Sequence, residues 1–240
     1  MNTTSSLAGK TALITGGSKG IGLGIAEAMA KEHMKVAITS RHFEEAEAAA
    51  KHLISLGAES ALALECDVRE WEVQKNTVKE IISDWGQLDV VIANAGVGHF
   101  AAIDSMSHKQ WHEIMDINLT GVFYTLQASV EALKASKGYL MTIASLAGTN
   151  FFANGAAYNA SKFGLVGFTQ AAMLDLRPYG IKVTTIMPGS VATYFNNHVP
   201  NTADDWKIQP EDIGQLVIDL LKMNPRTLPS KIEVRPSQPR

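Results

Sequence analysis

Residues 10–40 read KTALITGGSKGIGLGIAEAMAKEHMKVAITS. KTALIT is an apolar run of strand length, and the glycine-rich GGSKGIGLG follows it at once. Ile21, Ile25, Ala28 and Met29 then recur at helical spacing over 21–32, and KVAIT at 35–39 reads as a second strand.

The same alternation runs outward to the end of the chain. A helix rich in Ala and Glu over 43–56 is stopped by Gly57, and 60–65 is a third strand. Asp67, with Glu70 three residues on, marks a helix start for 70–85. LDVVIA at 88–93 is a fourth strand and runs into Asn94-Ala95-Gly96. Ser107 and Gln110 make a capping-box pattern ahead of a long helical region that continues to about 135. Strand 138–144, a helix to about Arg177, strand 181–187, a polar loop 194–209, a helix opened by Pro210 and a short strand near 231–235 complete the series.

These strands are apolar throughout rather than alternating, as in a parallel sheet covered on both faces. No linker, repeat or low-complexity tract interrupts them. The expected fold is one doubly wound α/β (Rossmann) domain over 1–240, with a mostly parallel seven-stranded sheet and a frayed tail at 1–8. Ligands of such sheets bind beyond the carboxyl ends of the strands. The glycine turn, Asn94 and Ser145 all fall at such ends.

SLAGTNFFANGAAYNASK, residues 145–162, carries the chemistry. Tyr158 and Lys162 are four apart, hence one turn apart on a single helix face. A phenol titrates at roughly 10 and is inert near neutrality, but a neighbouring ammonium favours the phenolate. A phenol so tuned can exchange a proton with an alcohol or carbonyl oxygen. Ser145, thirteen residues upstream at a strand end, could hydrogen-bond the same oxygen. A Tyr-x-x-x-Lys pair by itself also describes an ordinary solvated helix face; the strand-end serine and the glycine turn distinguish this one.

The turn Thr15-Gly16-Gly17-Ser18-Lys19-Gly20-Ile21-Gly22 lets a pyrophosphate approach a helix N-terminus, where amides and dipole favour anions. Its spacing differs from G-x-G-x-x-G, and it lacks the Gly-Lys-Ser/Thr of a P-loop. At the end of the second strand an acid would favour NAD, while an arginine accommodates the 2′-phosphate of NADP. Ser40 and Arg41 stand there, with Lys19 in the first turn, so NADP(H) is expected over NAD(H), unless both cations are plain surface charges.

Composition excludes other classes. The net charge is −3 without a long basic run, against a nucleic-acid partner. No apolar stretch reaches membrane-spanning length, and MNTTSSLAGK lacks the charged and apolar regions of a secretory signal. The single cysteine, Cys66, reads as a buried thiol in a reducing, cytoplasmic protein. No metal site is expected.

In their order and spacing these residues resemble the single-domain branch of the short-chain dehydrogenase/reductase family, across Lys10 to about Val234. The motifs are Thr-Gly-x-x-x-Gly-x-Gly at 15–22, Asp67-Val68, Asn94-Ala95-Gly96, Asn118, Ser145, Tyr158-Asn159-Ala160-Ser161-Lys162, and Pro188-Gly189 with Thr193. Ala93 stands where the family often has a first Asn.

The resemblance implies that Tyr158 is the proton donor or acceptor, and that Lys162 lowers its pKa and bonds the nicotinamide ribose. It implies that Ser145 polarises the carbonyl and that Asn118 holds a relay water behind Lys162. Gly16, Ser18, Lys19, Gly20, Ile21, Gly22, Ser40 and Arg41 would bind the phosphates and adenosine end. Asp67 and Val68 would flank the adenine, although Asp67 as a mere helix cap is an alternative. Asn94, Ala95 and Gly96 would follow the ribose, and Pro188, Gly189, Val191 and Thr193 the carboxamide.

The implied activity is NADPH-dependent reduction of a ketone or aldehyde, in a chain similar to 3-oxoacyl-(acyl-carrier-protein) reductases. Polyol or other secondary-alcohol oxidation is the alternative, and a non-catalytic NADP-binding module the remote one. The substrate is a small carbonyl compound or an acyl thioester. His99, Phe100, Phe151, Phe152, Asn154, Tyr194 and Phe195 are its candidate lining, and the resemblance implies a homotetramer, with a dimer as the alternative.

Overall fold

The structure, a computed structural model, describes residues 6–238. Its strands are β1 (Thr11–Ile14), β2 (Lys35–Ser40), β3 (Ser60–Glu65), β4 (Val90–Ala93), β5 (Tyr139–Ile143), β6 (Lys182–Pro188) and β7 (Lys231–Val234). Its α-helices are α1 (Gly20–Lys31), α2 (Phe43–Ser55), α3 (Trp71–Trp85), α4 (His108–Met115), α5 (Gly121–Ser136), α6 (Ala156–Leu176) and α7 (Pro210–Lys222).

All seven strands join one sheet in the order β3-β2-β1-β4-β5-β6-β7, and every pairing is parallel. Successive residues of a strand face opposite layers. Ile14, Ile92, Met141 and Ile186 therefore pack against α1, α2 and α7 through Ile25, Met29, Leu53 and Val217. On the opposite face Leu13, Val91, Leu140 and Val183 pack against α3, α5 and α6 through Ile81, Leu126, Leu133 and Ala172. Two buried layers explain why the central strands carry no polar alternation, whereas the edge strand β7 alternates exposed Lys231 and Glu233 with half-buried Ile232 and Val234.

The strand order turns about β1, which lies between β2 and β4. Crossovers leave in opposite directions there and open a crevice beyond the strand ends. Deep packing holds α1 in place beside it. An added Cβ at Gly24 would stand 2.5 Å from the Pro210 carbonyl oxygen, so α1 and α7 touch backbone to backbone.

Three expectations need correction. The tail expected at 1–8 is anchored within its length: Leu7 is buried in the core and its carbonyl accepts the Lys10 N–H, while residues 1–5 lie outside the described residues. Asp67 caps no helix, because α3 starts at Trp71 and the Asp67 carboxylate is taken by the Arg69 backbone and guanidinium. The long helical region is interrupted by a π-helical turn at Asp116–Thr120, between α4 and α5. Asn118, on that turn, is fully buried.

Overpacking a close backbone contact costs about 1–3 kcal/mol. Gly24→Ala is expected to lower the free energy of unfolding by about 2 kcal/mol, read as a lower urea midpoint at unchanged slope.

Candidate active site

The glycine turn is shaped by two left-handed residues, Gly16 (φ +62°) and Gly20 (φ +57°), a region that other residues enter at a cost. Gly22 is needed for space: a Cβ there would meet the Gly16 oxygen at 2.5 Å and Asn94 Nδ2 at 2.6 Å. Asn94 Nδ2 donates to the carbonyls of Thr15 (3.0 Å) and Gly16 (2.9 Å). The Thr15 hydroxyl accepts the N–H groups of Asn94 (3.0 Å) and Ala95 (3.2 Å). The turns after β1 and β4 are thereby locked together. The Asn94 side chain, expected along a ribose, is occupied as a brace. Lys19 at the N-cap of α1 contributes no side-chain cap, leaving the first-turn amides free to meet an anion.

One cleft of 1410 Å³ runs across these strand ends. Ser18, Lys19, Ser40, Arg41, Asp67 and Val68 line one end. Gly16, Gly20, Ile21, Asn94, Ala95 and Gly96 line its middle, and Pro188, Gly189, Val191 and Thr193 the wall beyond β6. Ser145, Tyr158 and Lys162 line the far end. Of the residues singled out in the sequence, Gly22 and Asn118 stand behind the surface instead.

Ser145 leaves β5 and caps a short 3₁₀ turn, accepting the Ala147 N–H at 3.1 Å. Tyr158 and Lys162 lie in the first two turns of α6. Lys162 Nζ sits 5.7 Å from the Tyr158 ring centroid and donates to the Ile143 carbonyl at 3.0 Å. Burial pushes the Tyr158 phenol up to about 12, against the hydrogen-bonding pull of Ser145. Burial likewise pushes Lys162 down to about 8. Burial thus outweighs any lowering of the phenol by a neighbouring charge. Both groups are withdrawn from water, and the ammonium is aimed at a strand carbonyl rather than at the hydroxyl.

Asn118 Oδ1 accepts the Val97 N–H at 2.8 Å, and its Nδ2 donates to the Val97 carbonyl at 2.9 Å and to Ser161 Oγ at 3.1 Å. Ser161 Oγ in turn donates to the Tyr158 carbonyl at 2.8 Å. Asn118 thus ties the loop after β4 to the helix that carries Tyr158.

Aromatic rings surround the phenol. Phe100 meets the Tyr158 ring edge-on at 5.6 Å, Phe195 lies 5.6 Å from it, and Phe152 packs edge-on to Phe100. Tyr194 and His99 also border the cleft, and His99 Nε2 is 3.0 Å from Glu113 Oε2. Phe151 and Asn154 do not border it: Phe151 is 85% exposed, and Asn154 shapes a turn at φ +64°. Sequence reading passed over Glu113 and Glu45, which both reach the cleft. The signal for Glu45 was its helical phase beside the buried stripe Ala46, Ala49 and Leu53.

Comparison with known proteins decides the family. The model of the short chain dehydrogenase family matches residues 10–204. The chain belongs to the short-chain dehydrogenases. Among its relatives is the trans-4-hydroxycyclohexanecarboxylate dehydrogenase of Sinomonas cyclohexanicum, 34% identical over 78% of this chain and 74% of that one. Another is a 3-oxoacyl-[acyl-carrier-protein] reductase of Staphylococcus epidermidis, 32% identical over 83% of this chain and 81% of that one. An alcohol dehydrogenase from the archaeon Thermococcus sibiricus, solved with 5-hydroxy-NADP, superposes with a TM-score of 0.91 at 28% identity, covering 96% of this chain and 98% of that one. This short-chain dehydrogenase is accordingly an oxidoreductase of hydroxyl and carbonyl groups.

The buried lysine makes a pH prediction. Its folded pKa of about 8 lies below the usual 10.5, so between these values the unfolded chain holds a proton that the folded chain lacks. Stability must therefore rise with pH across that window. Relative to Lys162→Met, the native protein should gain about 2 kcal/mol between pH 8 and pH 10, measured by urea unfolding of both proteins. A parallel pH dependence in the two would sink the idea.

Proposed function

We propose that this short-chain dehydrogenase is an NADPH-dependent carbonyl reductase acting on ketones with an apolar flank. The observation that carries the reading is the convergence of Ser145, Tyr158 and Lys162 on one cleft with Lys19 and Arg41. The residues present fit a dinucleotide: Gly22 admits no side chain, the α1 amides are uncapped, and two cations stand at the far end of the same cleft.

In this reading Lys19, Ser40 and Arg41 hold a 2′-phosphate, and the turn at 16–22 holds the pyrophosphate. Asp67 and Val68 flank the adenine, Ala95 and Gly96 follow a ribose, and Pro188, Gly189, Val191 and Thr193 support the carboxamide. Bound nicotinamide supplies the hydride. Tyr158, protonated through the neutral range because burial raises its pKa to about 12, donates its proton to the substrate oxygen. Ser145 donates a hydrogen bond to the same oxygen. Lys162, whose value of about 8 leaves it largely charged at pH 7, stabilises the phenolate that remains. Asn118 is a positioning residue in this scheme, acting through Val97 and Ser161.

The Phe100, Phe152 and Phe195 rings support an aryl, alicyclic or acyl substrate over a polyol, whose hydroxyls would find few partners on that wall. The membership of a 3-oxoacyl reductase among the relatives keeps acyl thioesters in the class. Exposed Phe123 and Phe163 on α5 and α6 support self-association into a homotetramer. No helix among the described residues is long and apolar enough to cross a membrane. The one cysteine is a buried free thiol, which supports a reducing, cytoplasmic setting.

Initial rates with NADPH and NADH should be compared on an acetoacetyl thioester, a cyclohexanone, an aryl ketone and a ketose. Apolar ketones or the thioester are expected to exceed the ketose at least tenfold in kcat/KM, and Tyr158→Phe should reduce turnover about 10²–10⁴-fold. Preferential turnover of the ketose would overturn the substrate class, and an unimpaired Tyr158→Phe the mechanism. Sedimentation should give a tetramer; a monomer would remove the assembly from the proposal.

A further inference from the structure

The end of the cleft read as the 2′-phosphate site already holds an anion of the protein's own. Glu45 lies in the first turn of α2 and reaches back toward β2 and the glycine turn. Its Oε2 accepts from Ser40 Oγ at 2.9 Å and from Ser18 Oγ at 3.3 Å. Its Oε1 lies 3.9 Å from Lys19 Nζ. Burial opposes its ionisation, but the Ser40 hydrogen bond, the Lys19 charge, Ser18 and His42 together outweigh burial and hold the carboxyl below its ordinary range. Glu45 is thus a carboxylate at neutral pH, and it borders the same cleft as Arg41.

Two hydroxyls and an ammonium gathered on one carboxylate are the donor set that a phosphate dianion would use. A phosphate arriving there meets a like charge and finds the hydroxyls engaged. It must displace the Glu45 side chain to bind. A ribose hydroxyl meets no such opposition, because it can donate to the carboxylate as it stands. We propose that Glu45 is the residue that sets cofactor selectivity: an internal anion on the 2′-phosphate donors, displaced by NADP(H) and accepting from the 2′-hydroxyl of NAD(H). The inference rests on the reading of Lys19, Ser40 and Arg41 as the adenosine end of the site. It implies that selectivity for NADPH is held below what those cations alone would give.

The alternative is that Glu45 merely braces the start of α2, where negative charge suits the helix dipole. The two accounts differ in binding. Calorimetric titration of adenosine 2′,5′-bisphosphate and of 5′-AMP into the native protein and Glu45→Gln separates them, because glutamine keeps an acceptor for the serines and removes the charge. Glu45→Ala serves as a second variant, and thermal melting verifies that each is folded.

The ratio of bisphosphate to 5′-AMP affinity is expected to rise about tenfold in Glu45→Gln, and the NADPH/NADH ratio of kcat/KM by a similar factor. A binding ratio that stays within twofold of native in both variants would reduce Glu45 to a brace. The NADPH reading is tested separately by the native protein alone. Tighter native binding of 5′-AMP than of the bisphosphate would sink that reading, while the rise in ratio on removing the charge would still support Glu45 as the selector.

Discussion

The side chain of Asn94 holds two strand ends in a fixed relation, and the rest of the site is built on that relation. Its amide bonds the carbonyls of Thr15 and Gly16, while the Thr15 hydroxyl takes the N–H groups of Asn94 and Ala95. These turns follow β1 and β4, the pair at which the sheet reverses its winding. A crevice at such a point is only as well defined as the two turns that flank it. Gly22 completes the arrangement by letting the Gly16 oxygen and the Asn94 amide come close to its own α-carbon.

A second set of bonds carries this rigidity across the cleft. Asn118, turned inward by the π-helical segment, joins Val97 to Ser161, and Ser161 bonds the carbonyl of Tyr158. Widened helical turns recur at functional sites because they present a side chain that regular helix would carry past its target. The phenol is thus positioned through α6, with aromatic rings on its open side. The same enclosure sets its titration: burial raises Tyr158 and lowers Lys162, so the phenol stays protonated through the neutral range.

At the opposite end, charge rather than packing governs the chemistry. Lys19 and Arg41 border that end of the cleft, where the proposed reading seats a 2′-phosphate, and Glu45 stands beside Lys19. In the proposal, selectivity there becomes a contest between an internal carboxylate and an arriving phosphate for two serine hydroxyls and one ammonium. The outcome depends on a few hydrogen bonds at a partly exposed surface, where single substitutions have large leverage on the balance.

The sequence by itself determined the doubly wound sheet, because unbroken apolar strands alternating with amphipathic helices have few other ways to bury both faces. It also determined which residues gather at the crevice, since the glycine turn, Asn94, Ser145, Tyr158 and Lys162 all follow strand ends or lie one helical turn apart. What those side chains do to one another was left to the tertiary structure. That Asn94 braces a turn, that Asn118 grips Val97, that Lys162 points at Ile143 and that Glu45 reaches back to Ser40 all depend on elements distant in the chain or on side-chain direction. Local periodicity encodes the face on which a residue lies. Its partner and its pKa are decided only when a second element closes over it and removes the water.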